Sequence, residues 1–281
     1  MNKFFSKIIL AIKLVISIFL IYYTFSLYNF NNPLMPNFDY QMKIIAMLLV
    51  LFFLTLPTLF VFWLKKWIIS RYPNFTKVWK ALRVIYVIIL IIFSGLIINS
   101  FYRLNNYNKT QRAIDFINSK KITLFDVMGQ NLPLKPDQTL NNSTIAGIDA
   151  NNNFIRDDVE LAIFEKYPNS AKIRAAELQY AQALQLELTE VFNSETLVVI
   201  LQKSSYARSC IDETGPEINL EDSREKIIAG LAVGDDRKKE IDSLVLDTEI
   251  RKKKQLDVLK KYMTTYSVRP GEQCDISLSS L

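Results

Sequence analysis

Three long apolar runs, all before residue 103, constrain this chain more than any other feature. The first extends from Ile8 to about Leu27, with Lys13 as its single charge and Tyr22, Tyr23 and Tyr28 at its far end. The second, Ile44–Leu64, and the third, Val84–Tyr102, carry no charge at all. Runs of this length suffice to cross a hydrocarbon core as helices. Pro57 falls inside the second, where a kink is tolerated, and Trp63 and Trp67 stand at its end as interfacial aromatics. Spans are therefore predicted at about 8–28, 44–64 and 84–102. No small-x-small cleavage site follows the first run, so it reads as a signal anchor, with Lys13 reaching the headgroups on its flexible stem.

Charge sets the orientation. Lys65, Lys66, Arg71, Lys77, Lys80 and Arg83 occupy the connector 65–83 without one acid, while 28–43 holds only Asp39 and Lys43. The positive-inside rule then puts the N-terminus and 65–83 in the cytoplasm and 103–281 outside, the arrangement of an integral bacterial inner-membrane protein with a periplasmic domain. Residues 1–102 hold ten of the 34 Lys and Arg against one of the 28 acids, leaving 24 bases and 27 acids beyond. The basic excess thus belongs to the membrane part, which argues against a nucleic-acid partner. No Asp, Glu or Arg lies within the spans, so they read as an anchor rather than a transport pathway. The chain has no histidine, which excludes His-based triads and imidazole metal sites.

Beyond residue 102 the pattern is helical. Residues 103–147 read as a connector, with a short amphipathic helix around Ala113, Ile114, Phe116 and Ile117, then an irregular stretch in which Ile122–Val127 is the one β-like run. Residues 148–281 read as a helical domain. Its helices are expected after Asp157 up to Pro168, over Ala171–Phe192 behind an Asn169 or Ser170 cap, from Ser194 to about Tyr206, over Glu221–Val233, and over Ile241–Tyr266. The fold class is a membrane-anchored all-α protein, three transmembrane helices followed by a soluble domain of roughly five helices. Arg251-Lys252-Lys253-Lys254 is expected to be a solvated helix face. The chain's two cysteines, Cys210 and Cys274, both fall in the exterior part and are expected to pair, closing a loop worth about 4 kcal/mol in the chain-entropy model.

The residues with the most chemistry run from Gly147 to Glu160. Side-chain oxygens alternate at Asp149, Asn151 and Asn153, a main-chain carbonyl is available at Ile155, and Asp157 and Glu160 follow. This is the one-three-five-seven-nine-twelve spacing of a calcium loop running into a helix. The stretch resembles the EF-hand loop and the Asp/Asn-rich loops of dockerins and thrombospondin type 3 repeats, over this loop alone. The resemblance implies a Ca2+ ion held by Asp149, Asn151, Asn153, the Ile155 carbonyl, Asp157 and Glu160. Phe154 occupies the sixth position, where EF-hand loops have glycine, and the apolar Ile155 sits one position early. A plainer reading makes Asp157 an N-cap and Glu160 its capping-box partner.

The sequence therefore predicts an envelope protein whose extracytoplasmic domain binds another envelope protein or supports a complex, with a structural calcium site in the Asp149–Glu160 loop as the resemblance implies. The alternatives are a metal-dependent hydrolase using Asp157, Asp158 and Glu160, and a signalling or immunity-type membrane protein acting through 65–83.

Overall fold

A computed structural model describes residues 105–281, apart from 220, 269 and 270, together with the helical positions 81, 84, 85, 87, 88 and 91. The predicted spans 8–28 and 44–64 lie outside the described residues, as does most of 84–102. No helix among the described residues is long and apolar enough to cross a membrane. The chain divides into two compact units, Met1–Arg103 and Leu104–Leu281. Residues 104–147 therefore belong to the same unit as the helices that follow.

All regular structure among the described residues is helical. Helix α1 covers 105–119. Two single turns follow, α2 (Leu124–Val127) and α3 (Gln138–Asn141). Five longer helices make the body: α4 (Asp157–Lys166), α5 (Ala171–Glu190), α6 (Ser194–Glu213), α7 (Arg224–Val245) and α8 (Glu249–Tyr262). A short 3-10 turn, Leu278–Ser280, closes the chain.

The boundaries follow from capping chemistry, because the first N–H groups of a helix need acceptors from outside it. Ser170 accepts from the Ile173 N–H, Asn193 from Thr196, Ser223 from Lys226 and Thr248 from Arg251. Three expectations are corrected here. The β-like Ile122–Val127 run is a helical turn, because Thr123 and Asp126 form a reciprocal capping box around it. The helix expected to stop at Val233 continues to Val245. Gly234 is buried within it, and a Cβ there would lie 2.5 Å from Asp212 Oδ1, so the glycine permits close approach to α6. The helix expected over Ile241–Tyr266 is two helices, broken at Leu246-Asp247-Thr248 where Thr248 caps anew.

Helix α5 is the centre. Every residue from Arg174 to Leu188 on it is buried, a pattern of a helix surrounded on all sides rather than of one with a wet face. One apolar core gathers Ile155, Val159, Ile163, Ala176, Tyr180, Leu184, Ile211 and Ile241 around it. A second gathers Ile117, Leu186, Leu197, Ile200 and Val258. Its polar residues are matched one by one, as burial requires. Glu177 pairs with Arg237 at 2.7 Å, and Tyr180 donates to Asp242 while Arg208 donates to Tyr180. Arg174 donates to the carbonyls of Val127, Tyr167 and Pro168.

The expected disulfide is present: Cys210 on α6 is joined to Cys274, 64 residues later. The tail is also sewn to α5, since Gln179 donates to the Gln273 carbonyl and accepts from the Asp275 N–H. Reduction, or Cys210→Ala with Cys274→Ala, is expected to lower the unfolding free energy of the 104–281 unit by about 4 kcal/mol. It should also expose 271–281 to proteolysis before global unfolding, as read by urea melts and limited digestion.

Burial pushes the Glu187 carboxyl up to about 7, with Asp242 adding to the rise and the Gln255 amide and Arg208 opposing it. The folded state then holds a proton that the unfolded chain releases near pH 4.5. Stability from this group is full below pH 4.5 and falls as pH rises through about 7, by up to about 1.4 kcal/mol per pH unit. Glu160, also pushed to about 7 by burial, adds to the same slope. Urea melts from pH 5 to 8 are expected to show declining stability, with a shallower decline in Glu187→Gln.

Candidate functional site

The loop from Gly147 to Glu160 is built by side chains that turn back onto its own backbone. Gly147 has φ +70, and a Cβ there would lie 2.3 Å from Arg156 Cδ, so the turn requires glycine. Asp149 caps the loop from inside: its Oδ1 accepts from the Asn153 N–H at 3.2 Å and its Oδ2 from the Phe154 N–H at 2.9 Å. Asn153 Oδ1 accepts from the Ile155 N–H. Asp157 Oδ1 reaches across to the Ala150 N–H, and the Ile148 carbonyl accepts from the Asp157 N–H.

Two non-glycine residues stand in the left-handed region, Asn152 at φ 58 and Phe154 at φ 64. Asparagine tolerates this conformation; phenylalanine adopts it at a cost of about 1 kcal/mol or more. Phe154 is held there by the bond to Asp149 and by its ring, which meets Phe116 edge-on at 5.3 Å with the Lys120 ammonium 4.2 Å from its centre. The sixth loop position thus has the backbone sign that glycine provides in EF-hand loops.

The capping-box expectation for Asp157 and Glu160 is corrected. The N-cap of α4 is Arg156, with no side-chain cap bond, because both carboxylates turn into the loop instead. Glu160 is fully buried. Its Oε2 accepts from Asn151 Nδ2, which also donates to the Asn131 carbonyl, while its Oε1 has no hydrogen-bond partner of normal geometry. Burial is the main cause of its raised pKa; the amides of Asn151 and Asn153 oppose the rise, and Asp126 and Asp157 add to it. Asp149 and Asp157 are also raised, by burial first.

The structure thus brings Asp149, Asn151, Asn153, Asp157 and Glu160 into one loop, with the Ile155 side chain anchored in the core. Among the described residues, no three Asp, Glu or Cys side chains converge tightly enough to hold a metal ion by themselves. The carboxylates are spent on N–H groups and one amide. Asp158, the third carboxylate of the hydrolase alternative, faces elsewhere: it pairs with Arg156 and accepts from Asn141 Nδ2. Asp157, Asp158 and Glu160 do not form one cluster.

Periodicity gave no sign of the groups that hold the loop. Gln182 and Gln185 on α5 donate to the Asn153 and Ala146 carbonyls. Arg156, 1% exposed, donates to the Leu244 and Val245 carbonyls and pairs with Asp247. Arg251 corrects the solvated-face expectation. It is 0% exposed, pairs with Asp247 at 2.7 Å and donates to the carbonyls of Asn141, Thr144 and Ile145. Lys252 and Lys253 do face solvent. A sequence signal existed only for Arg251, in its i, i+4 spacing from Asp247.

Comparison of the chain with known protein families, curated proteins and solved structures yields no match.

Gly147→Ala is expected to cost about 2–4 kcal/mol through the clash with Arg156 and the left-handed backbone. Arg251→Met should cost about 3 kcal/mol by stranding the carbonyls of Asn141, Thr144 and Ile145, whereas Lys252→Met should stay within about 0.5 kcal/mol. Urea melts of the three variants at one pH check this ordering.

Proposed function

We propose that the chain is a membrane-anchored cell-envelope protein whose 104–281 domain is a structural or interaction module, presented outside the membrane to another envelope protein. Calcium bound in the Asp149–Glu160 loop would have a structural role. The observation that carries the calcium reading is the buried Glu160 carboxylate, whose Oε1 lacks a hydrogen bond of normal geometry, beside a loop turned by Asp149 through the left-handed sixth position. Such a carboxylate is costly to ionise without a partner, and a hard cation is a fitting one.

Binding in this reading needs a rearrangement. Asn151 gives its amide nitrogen to Glu160, and a cation would require that nitrogen to turn away so that oxygens face the ion. Three of the ligands are carboxylates, in the affinity range of extracellular modules, about 10⁻⁴–10⁻³ M. The α5 pegs at Gln182 and Gln185 hold the loop backbone while those side chains reorganise, so the ion would lock a preformed turn. Arg156, at the eighth loop position, links the same turn to the α7–α8 junction, which gives the ion a reach beyond its own ligands.

The anchor reading rests on the three apolar runs and the basic connector 65–83. Reporter fusions after residues 35, 75 and 281 are expected to be exterior, cytoplasmic and exterior in turn.

Calorimetric titration of the 104–281 fragment with calcium is expected to show saturable binding that Asp149→Ala and Glu160→Ala each abolish. For a Kd of about 0.5 mM, 10 mM calcium should stabilise the fold by about 1.8 kcal/mol, a rise in melting temperature of about 5 °C. Absence of heat and of any shift at that concentration would make the loop a self-capped turn without an ion.

A further inference from the structure

The segment from Lys120 to Pro136 presents five large apolar side chains to solvent. Leu124 and Phe125 are 50% and 65% exposed, Met128 52%, Leu132 40% and Leu134 89%. They are neighbours: Leu124 and Phe125 lie one turn before Met128, and Met128, Leu132 and Leu134 line one open groove of about 740 Å3 with Phe164. Their exposure is fixed by the fold. The Thr123–Asp126 capping box aims the α2 turn, and Val127 beneath is fully buried, its carbonyl held by Arg174.

Charge along the segment is mainly basic: from 120 to 136 the bases are Lys120, Lys121 and Lys135, and the one acid, Asp126, is buried in its capping box, with the exposed Asp137 following as the cap of α3. Glu165 is the acid among the groove residues, on the α4 side. The rest of 103–281 carries more acids than bases, so a basic, leucine- and phenylalanine-rich surface on this domain departs from its surroundings. Exposed Leu and Phe flanked by Lys is the composition of a segment that sits at the headgroup–acyl boundary. On the membrane-anchored reading the domain is tethered to the bilayer by its own chain, so even a weak surface affinity acts at high effective concentration.

We infer that the Leu124–Leu134 surface docks on the phospholipid surface of the membrane, with Leu124, Phe125, Met128, Leu132 and Leu134 in the interface and Lys121 and Lys135 against anionic headgroups. The inference rests on the membrane-anchored reading of the chain, and the two fail separately. Loss of the full chain from membranes on alkaline carbonate extraction would remove the anchor, whereas the docking surface is read on the 104–281 fragment alone, which carries its own cores and disulfide.

The test is co-sedimentation of the disulfide-intact fragment with vesicles of zwitterionic phospholipid, pure or mixed with an equal amount of anionic phospholipid. Binding is expected to both, tighter to the mixture. Leu132→Ser with Leu134→Ser should raise the lipid needed for half-binding by about tenfold or more; both side chains are exposed, so the melting temperature should not change. Lys121→Gln with Lys135→Gln should abolish the preference for the anionic mixture. A fragment that stays in the supernatant with both vesicles overturns the proposal. So does a serine variant that binds like the parent, or a fragment dimer that the serine pair dissolves, which would assign the surface to a second copy.

Discussion

The fold depends on a buried helix whose polar side chains serve as pegs. Helix α5 has no wet face, yet it carries Arg174, Glu177, Gln179, Gln182, Gln185 and Glu187 in its buried stretch. An apolar helix in this position would be held by area alone and could slide or rotate at small cost. Here each peg has an assigned socket: Gln179 in the tail, Gln182 and Gln185 in the loop carbonyls, Glu177 in Arg237 of α7, and Glu187 beside Gln255 of α8. Unpaired, such groups would each cost about 1–3 kcal/mol. They therefore select one register, and the cores around α5 fill in accordingly.

The second constraint is a pair of buried guanidinium groups sharing one carboxylate. Arg156 and Arg251 both bind Asp247, and between them they satisfy the carbonyls that end α7 and those of the 141–145 turn. The fork geometry of arginine lets one side chain bridge a helix end, an acid and a loop at once, which a lysine could not do. The break between α7 and α8 is thus tied to the turn that opens the Asp149 loop. A change in that loop would be felt at α8, which buries only Arg251 and Val258.

The Asp149–Glu160 loop shows how local chemistry and strain are combined. Asp149 supplies acceptors for two successive N–H groups, the usual way a short acidic side chain fixes a turn. Phe154 completes it in a conformation that its own side chain disfavours, compensated by packing on Phe116 of α1 and on Lys120 just past the end of α1. The turn survives without glycine because tertiary contacts reward the ring for leaving the loop.

The sequence by itself determined the all-helical domain, a cap at Asn169 or Ser170, most of the long-helix positions and the Cys210–Cys274 pairing, because caps, apolar periodicity and cysteine number are local or composition-level signals. It also marked Asp149–Glu160 as the stretch where oxygen-bearing side chains come together. Tertiary structure alone decided which way those side chains turn: Asp157 and Glu160 into the loop, Asp158 out to Arg156. It decided the continuation of α7 through Gly234, where close packing on α6 outweighs low helix propensity. It also decided the burial of Arg251, whose solvated lysine neighbours carry the same charge. The physical reason is common to all three. Propensity and periodicity describe a segment against water, whereas a buried charge, a glycine contact or a carboxylate's direction depends on which distant backbone groups need a partner.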